Sequence, residues 1–497
     1  MFRQVAFPHE SIDGWERFLG ITDWADDLID GAEQAIRGAG EVFDPVVRLG
    51  VTGLSGAGKT VFITAMVASL LKRGRMRLLR AQAEGRITAA HLREQPDPDI
   101  PRFAIEDHIA ALTGPVPAWP ESTRQVSQLR LSLKVRPAGF LSGLTGLRTV
   151  NLDIVDYPGE WLLDLPLLDQ SYADWSASAL DALGSPARSD YAADFRAALA
   201  GTDPAAGHDE PVATALATAF RGYLSDCRKA GLSALAPGRF LMPGDLDGSP
   251  ALTFAPLPGN RRGRGSLWRQ METRFEAYKR VVVKPFFRNH FARLDRQVVL
   301  VDALGALAGG PRALSDLTQA MAETLTCFRH GETSWLDRVL GGRRIEKLLF
   351  VASKADHLHH EQHGRLTDLV QAMLAEAARR AAFRGTDTQA LAIAAIRASA
   401  EQVVTHQGGE VGVVRGLRAG DGKEVALYPG TLPVDMGALL SGASAEDPGQ
   451  APTVWTGGSD FTRPAFAPPR WQAGAEDGPP HIRLDRAIEF LIGDKLE

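Results

Sequence analysis

Residues 46–72 read VVRLGVTGLSGAGKTVFITAMVASLLK, and three regimes follow one another within them. Val46 to Val51 is a short, β-branched apolar run of strand length. Val61 to Lys72 has the length and composition of a helix. Between them Gly53, Gly58, Lys59 and Thr60 fill the pattern GxxxxGK followed by Ser or Thr, in the strand, loop and helix context that the pattern needs. The chemistry follows from the geometry. Glycines permit a loop tight enough to aim successive backbone N–H groups at phosphate oxygens beside a helix N-terminus. Lys59 is placed to bridge the β- and γ-phosphates and the Thr60 hydroxyl to ligate Mg²⁺, while Ser55, Gly56, Ala57 and Val61 complete the expected nucleotide contacts.

A phosphate loop alone does not separate GTP from ATP, so the next metal ligand and a base reader must lie downstream. Residues 126–135 (VSQLRLSLKV) alternate with Leu129, Leu131, Leu133 and Val135 on one face. Residues 149–155 (TVNLDIV) form a second strand-like run that ends in DYPG. There Asp156 can hold Mg²⁺ through water, and the Gly159 N–H can approach a γ-phosphate because no side chain obstructs it. Glu160 occupies the place after DxxG where Gln is common in Ras-like proteins, and a carboxylate there is repelled by γ-phosphate, so Glu160 is expected to point away.

Lys347 to Ala352 (KLLFVA) is another apolar strand and runs into Ser353, Lys354, Ala355, Asp356 and His357. This resembles the (N/T)KxD guanine reader of GTPases. A carboxylate there accepts from guanine N1–H and the exocyclic amine together, the lysine stem covers the base face, and adenine offers no matching donor pair. Ser353 stands where Asn or Thr is usual, which leaves a hydroxyl to tie neighbouring loops without the amide contacts of Asn. A third apolar run, Leu391 to Ile396, precedes Ala398, Ser399 and Ala400, and this resembles the loop whose backbone contacts guanine O6. Thr123, in WPESTRQ, best fits the switch-like threonine that senses Mg²⁺ and γ-phosphate, with Ser122 and Ser127 as alternatives. Lys59 and Thr123 are the expected catalytic residues, and Thr60, Thr123 and Asp156 the expected Mg²⁺ ligands.

With GLSGAGKT, DYPGEW and SKADH, and with RFEAYKRVVVKPFFRNHFARLDRQVVLVD at 274–302 and HIRLDRAIEFLIGDKL at 481–496, the chain resembles the YcjX-like P-loop GTPases, a bacterial family associated with envelope stress. The resemblance implies an α/β Ras-like core, a mostly parallel sheet with one antiparallel strand, carrying a helical insertion and a C-terminal extension. It also implies a Mg²⁺-dependent guanine-nucleotide switch in a stress response. The boundaries expected are an N-terminal helical segment at 1–45, the first part of the core at 46–161, the insertion at 162–296, the second part at 297–414 and the extension at 415–497.

The 497 residues are 44% hydrophobic and 23% charged, which excludes wholesale disorder. Cys227 and Cys327 alone exclude a disulfide framework and point to a reducing cytoplasm. A net charge of −5 conceals residues 261–296, where eleven Lys or Arg stand against three acidic residues, a local +8 that leaves −13 for the remainder. Trp268, Phe275, Tyr278, Phe286, Phe287 and Phe291 lie among these cations. Periodicity favours an amphipathic helix with its aromatics in the core; the other reading is docking at an anionic inner-membrane surface. A protein partner, at the membrane or away from it, is expected and nucleic acid is not. The histidines at 357, 359, 360 and 363 invite a metal-site reading, because His359 and His363 share one face if the segment is helical, but they do not match HExxH and no carboxylate partner is placed convincingly, so a polar loop start is preferred.

Overall fold

The computed structural model describes residues 44–54, 56–121, 125–138, 146–259, 263–325, 345–383, 385–406, 409–434, 436–437, 439–440, 461–462, 464–471 and 477–497. The expected N-terminal helical segment lies almost wholly outside them, as do Ser55, Ser122, Thr123 and Cys327.

Among the described residues, seven strands form the main sheet: β1 (Val46–Gly53), β2 (Ile87–Arg93), β3 (Ser127–Val135), β4 (Arg148–Asp156), β5 (Arg296–Val301), β6 (Lys347–Ala352) and β7 (Asp387–Ala392). Their order is β2-β3-β4-β1-β5-β6-β7. β1 pairs in parallel with β4 on one side and β5 on the other, and β5, β6 and β7 continue in parallel. β3 runs antiparallel to both β2 and β4. A largely parallel sheet is covered on both faces, so its strands read as near-continuous apolar runs; VVRLGV and KLLFVA carry that signal. Edge strand β2 (ITAAHLR) does not, being Ala-rich and half exposed, and it escapes sequence reading for that reason.

The main helices are α1 (Lys59–Lys72), α2 (Ile105–Thr113), α3 (Tyr172–Ala182), α4 (Glu210–Lys229), α5 (Leu267–Tyr278), α6 (Pro311–Thr324), α7 (His363–Phe383) and α8 (Leu484–Ile492). α1 is buried nearly all round, as a helix without a polar face must be. α8 buries Leu484, Ala487, Ile488, Leu491 and Ile492 in the same core as β1 and α1, so the chain's last helix belongs to the sheet. The fully buried Arg296 at the start of β5 pins this end through Asp494, 2.8 Å away, and Glu346, 2.6 Å away. A second antiparallel sheet, β8 (Ser399–His406), β9 (Gly409–Leu417) and β10 (Glu424–Leu427), follows β7. No helix of the described residues is long and apolar enough to cross a membrane.

Between β4 and β5 the chain builds a helical layer with its own aromatic core. Polar caps start its helices: Ser171 for α3, Asp209 for α4 and Ser266 for α5. Trp175 stacks on Phe275 at 5.0 Å, and Tyr172 meets Trp268 edge-on at the same separation. Trp268, Phe275, Tyr278, Phe286, Phe287 and Phe291 are all buried. The six aromatics of the basic segment therefore hold this core, as amphipathic periodicity implies, and Arg280, Lys284 and Arg288 stay exposed on its outer side.

The layer grips the segment after DYPG, a 3₁₀ turn over Gly159–Asp169. Arg239 lies over the Trp161 ring at 3.2 Å. Asp164 accepts from Gly238 N–H at 2.7 Å, Arg239 N–H at 3.3 Å and the Tyr278 hydroxyl at 2.6 Å. Burial nevertheless raises its carboxyl from 3.8 to about 6, against the pull of those donors and the Arg239 charge. A raised folded value favours the folded state when protonated, so that contribution is full below the unfolded value and is lost as pH rises through about 6. Lowering pH from 7.5 to 5 should therefore stabilise the wild type relative to Asp164→Asn by ~1 kcal/mol in urea denaturation. A pH-independent difference between the two would disprove the assignment.

Candidate functional site

Strand order reverses at β1, with β2 to β4 on one side of it and β5 to β7 on the other, and α/β sheets bind ligands at the C-terminal edge of such a switch point. The phosphate loop sits there. Gly56 and Gly58 have φ of 80° and 88°, left-handed values that a side chain would strain, and Gly58 caps α1. The Ala57 N–H closes the turn on the Leu54 carbonyl at 3.1 Å. Lys59 is buried, and its ammonium donates to the Gly53 carbonyl at 2.6 Å. Thr60 donates from its hydroxyl to the Glu121 carbonyl at 3.3 Å, which joins the start of α1 to the segment preceding β3.

Asp156 ends β4 in register with Val51 and is buried. A Cβ on Gly159 would stand 2.5 Å from the Gly53 carbonyl oxygen, so this glycine is what lets the DYPG turn close on the phosphate loop. Glu160 is buried away from that loop, its carboxylate 3.7 Å from Arg228 of α4.

The third part comes from β6. Ser353 donates N–H and hydroxyl to the Val301 carbonyl at 3.0 and 3.3 Å, tying the end of β6 to the end of β5. Lys354 adopts a left-handed φ of 63° and sends its ammonium to the Gly56 carbonyl at 2.8 Å and to Asp302. One side chain thus joins the base-reader loop to the phosphate loop. Asp302, which sequence reading does not single out, also caps the following turn by accepting from Gly305 N–H at 3.0 Å. Asp356 is buried and accepts from the Ala398 N–H at 2.8 Å. Burial raises its carboxyl above the ordinary range, opposed by the nearby His357 and the Ala398 N–H.

A cavity of about 530 Å³ joins these parts. Gly56, Ala57, Gly58, Lys59, Thr60 and Val61 line one end, and Ser353, Lys354, Asp356 and His357 the other. Gly53, Asp156 and Gly159 support the loop without lining the cavity. The third loop departs from expectation. β7 ends at Ala392, so Ile393 to Ile396 is not strand but cavity wall. Ser399 and Ala400 begin β8 instead of facing the cavity; the Ser399 hydroxyl donates to the Asp356 carbonyl and so holds the base reader from behind. The reason is that an apolar run can cover a ligand face as readily as it can fill a strand.

Sequence reading also misses the far wall. Trp119, Pro464, Ala465 and Phe466 complete the cavity, and the Trp119 indole N–H donates to the Phe466 carbonyl at 2.8 Å across 347 residues. His357 meets the Phe466 ring edge-on at 5.7 Å. His363, which shares a face with His359 only if the intervening segment is helical, starts α7 after a 3₁₀ turn and bonds the Ala355 carbonyl at 2.8 Å. Gly159→Ala should lower stability by ~1–3 kcal/mol through overpacking against Gly53. Wild-type stability of the variant in chemical denaturation would show that the two turns do not press together.

Two curated relatives match most of the chain. The Escherichia coli (strain K12) protein named Ras-like GTPase YcjX is 40% identical over 467 residues, 91% of this chain and 96% of that protein. The Shewanella oneidensis protein of the same name is 37% identical over 479 residues, 91% and 95% of the two chains. The sheet, with one strand reversed beside β4, is the α/β architecture of such Ras-like proteins. Residues 47–496 match the YcjX-like family, DUF463, a span that takes in every described wall of the cavity, and the chain belongs to that family.

Proposed function

We propose that this chain binds guanine nucleotide with Mg²⁺ in the cavity and hydrolyses GTP to GDP as a nucleotide-dependent switch. The observation that carries the reading is the Lys354 bridge to Gly56, which sets a buried carboxylate, Asp356, across one cavity from a glycine-rich helix N-terminus. The relatives' printed name, Ras-like GTPase, agrees with it. Gly56 to Thr60 cradle the phosphates. The Lys59 ammonium leaves the Gly53 carbonyl for phosphate oxygens and stabilises the charge that develops there. The Thr60 hydroxyl and the Asp156 carboxylate are the hard oxygen donors that suit Mg²⁺, and when bound the ion neutralises phosphate charge. Thr123 remains the proposed switch threonine. Trp119, Ile393 and Phe466 supply apolar surface for the base or ribose and exclude water from the reader.

Asp356 sets base choice: it accepts from guanine N1–H and N2–H. GDP should bind the wild type far more tightly than ADP in calorimetric titration. Asp356→Asn should lose about 1.5–3 kcal/mol of GDP affinity, roughly 10- to 100-fold, and gain xanthosine diphosphate, whose 2-oxo group accepts from the asparagine amide. Tighter ADP binding would sink the guanine assignment.

The second reading is a nucleotide-responsive scaffold with negligible turnover, and the Glu160–Arg228 pair favours it by holding the residue after DxxG away from the phosphate loop. Steady-state turnover should fall about 100-fold or more in Lys59→Ala if the protein is a GTPase. Equal background rates in both proteins would select the scaffold. A task in bacterial stress response rests on the family resemblance, and a cytoplasmic location, peripheral at the inner membrane with a protein partner, rests on the two cysteines and the basic segment. The basic segment lends the membrane reading only its exposed cations, because its aromatics are committed to the core.

A further inference from the structure

The loop after the base reader meets strand β8 in a cluster that the nucleotide reading does not use. His359 and His360 present their rings side by side, 4.4 Å between centroids, and Glu401 of β8 reaches back to them. His360 Nδ1 lies 2.5 Å from Glu401 Oε2, and His359 Nε2 lies 4.0 Å from the same oxygen. The three donor atoms fall within 4.8 Å of one another. Charged side chains stand behind two of the three. His359 Nδ1, the other ring nitrogen, makes no hydrogen bond, and Glu361 Oε2 stands 3.4 Å from it. Glu401 turns its other oxygen, Oε1, to Arg397 at 3.6 Å, which leaves Oε2 aimed at the imidazoles. His359 is buried and fixed by close packing, since a Cβ on Gly412 would stand 2.7 Å from its ring. His360 is 63% exposed and provides the route in.

We propose that His359, His360 and Glu401 bind one divalent transition-metal cation, with water completing a tetrahedral shell. Two imidazoles and one carboxylate select Zn²⁺ and its neighbours Co²⁺ and Ni²⁺ over Mg²⁺, which prefers oxygen. Donors on a tetrahedral Zn²⁺ with bonds near 2.0–2.1 Å stand about 3.4 Å apart. The observed separations of 2.5 and 4.0 Å bracket that value, so small side-chain rotations suffice. The guanidinium of Arg397 weakens cation binding by its charge and favours it by holding the carboxylate still. Ser399 and Glu401 share one face of β8, so the site stands directly behind the strand position that supports Asp356. The inference does not depend on the nucleotide assignment.

The test is calorimetric titration of the EDTA-stripped full chain with Zn²⁺ in excess Mg²⁺, which occupies hard oxygen sites, together with visible absorption of the Co²⁺-loaded protein. One Zn²⁺ per chain is expected, at least about tenfold weaker in His360→Ala and in Glu401→Gln, with the tetrahedral Co²⁺ bands lost in both. Circular dichroism and thermal melting verify that the variants fold, as the exposure of His360 leads one to expect. No Zn²⁺ binding by the wild type, or equal binding by wild type and both folded variants, overturns the proposal and leaves the cluster as a surface hydrogen bond between His360 and Glu401.

Discussion

Strand β1 is hydrogen-bonded along both edges and buried over most of its length, and the rest of the molecule is arranged around that constraint. A central parallel strand cannot turn back beside itself, so the chain must leave its C-terminal end through a loop and return by helix. That exit is the glycine-rich loop. Its backbone leaves room for only a glycine at 159, and its carbonyls at Gly53 and Gly56 receive the two lysines, Lys59 and Lys354. The buried Lys59 and the partly exposed Lys354 are thereby held at one edge by main-chain oxygens.

Much of this was legible in the sequence where the signal is local. Val46 to Val51, Lys347 to Ala352 and the glycine spacing before Lys59 each fit within about ten residues, and strand type, loop and helix start follow from periodicity and backbone freedom. Legibility failed where contacts are distant. Nothing near Trp119 announces Phe466, and nothing near His360 announces Glu401. It failed also where one signal has two physical meanings. Ile393 to Ile396 is apolar because it lines a cavity, and Ser399 lies after a strand because it begins another. Ala-rich β2 has too little side chain to show the alternation that marks a half-buried strand.

The charge of residues 261–296 shows how composition can mislead at the scale of a segment. Cations interleaved with aromatics look like a docking surface, but π-faces are worth most where water is excluded, and this layer uses them to build a core between helices that are otherwise Ala-rich. Arg264, Arg269, Arg280, Lys284 and Arg288 then fall outward, while Lys279 and Arg296 are buried. Several are matched by carboxylates from their own or adjoining helices, as Arg274 is by Glu210 and Lys279 by Glu276.

Helix α8 has a consequence for the order of folding. It fills the core that β1 and α1 begin more than 400 residues earlier, and the Arg86 guanidinium donates to the Leu496 carbonyl across 410 residues of chain. During synthesis the central sheet therefore waits, with an apolar face open, until residues 484–496 have emerged. The helical layer, whose contacts are closer in sequence, can condense while it waits. The nascent chain would be most exposed to aggregation and to chaperones along β1 and α1, the part of the sheet core that is made first and carries the phosphate loop.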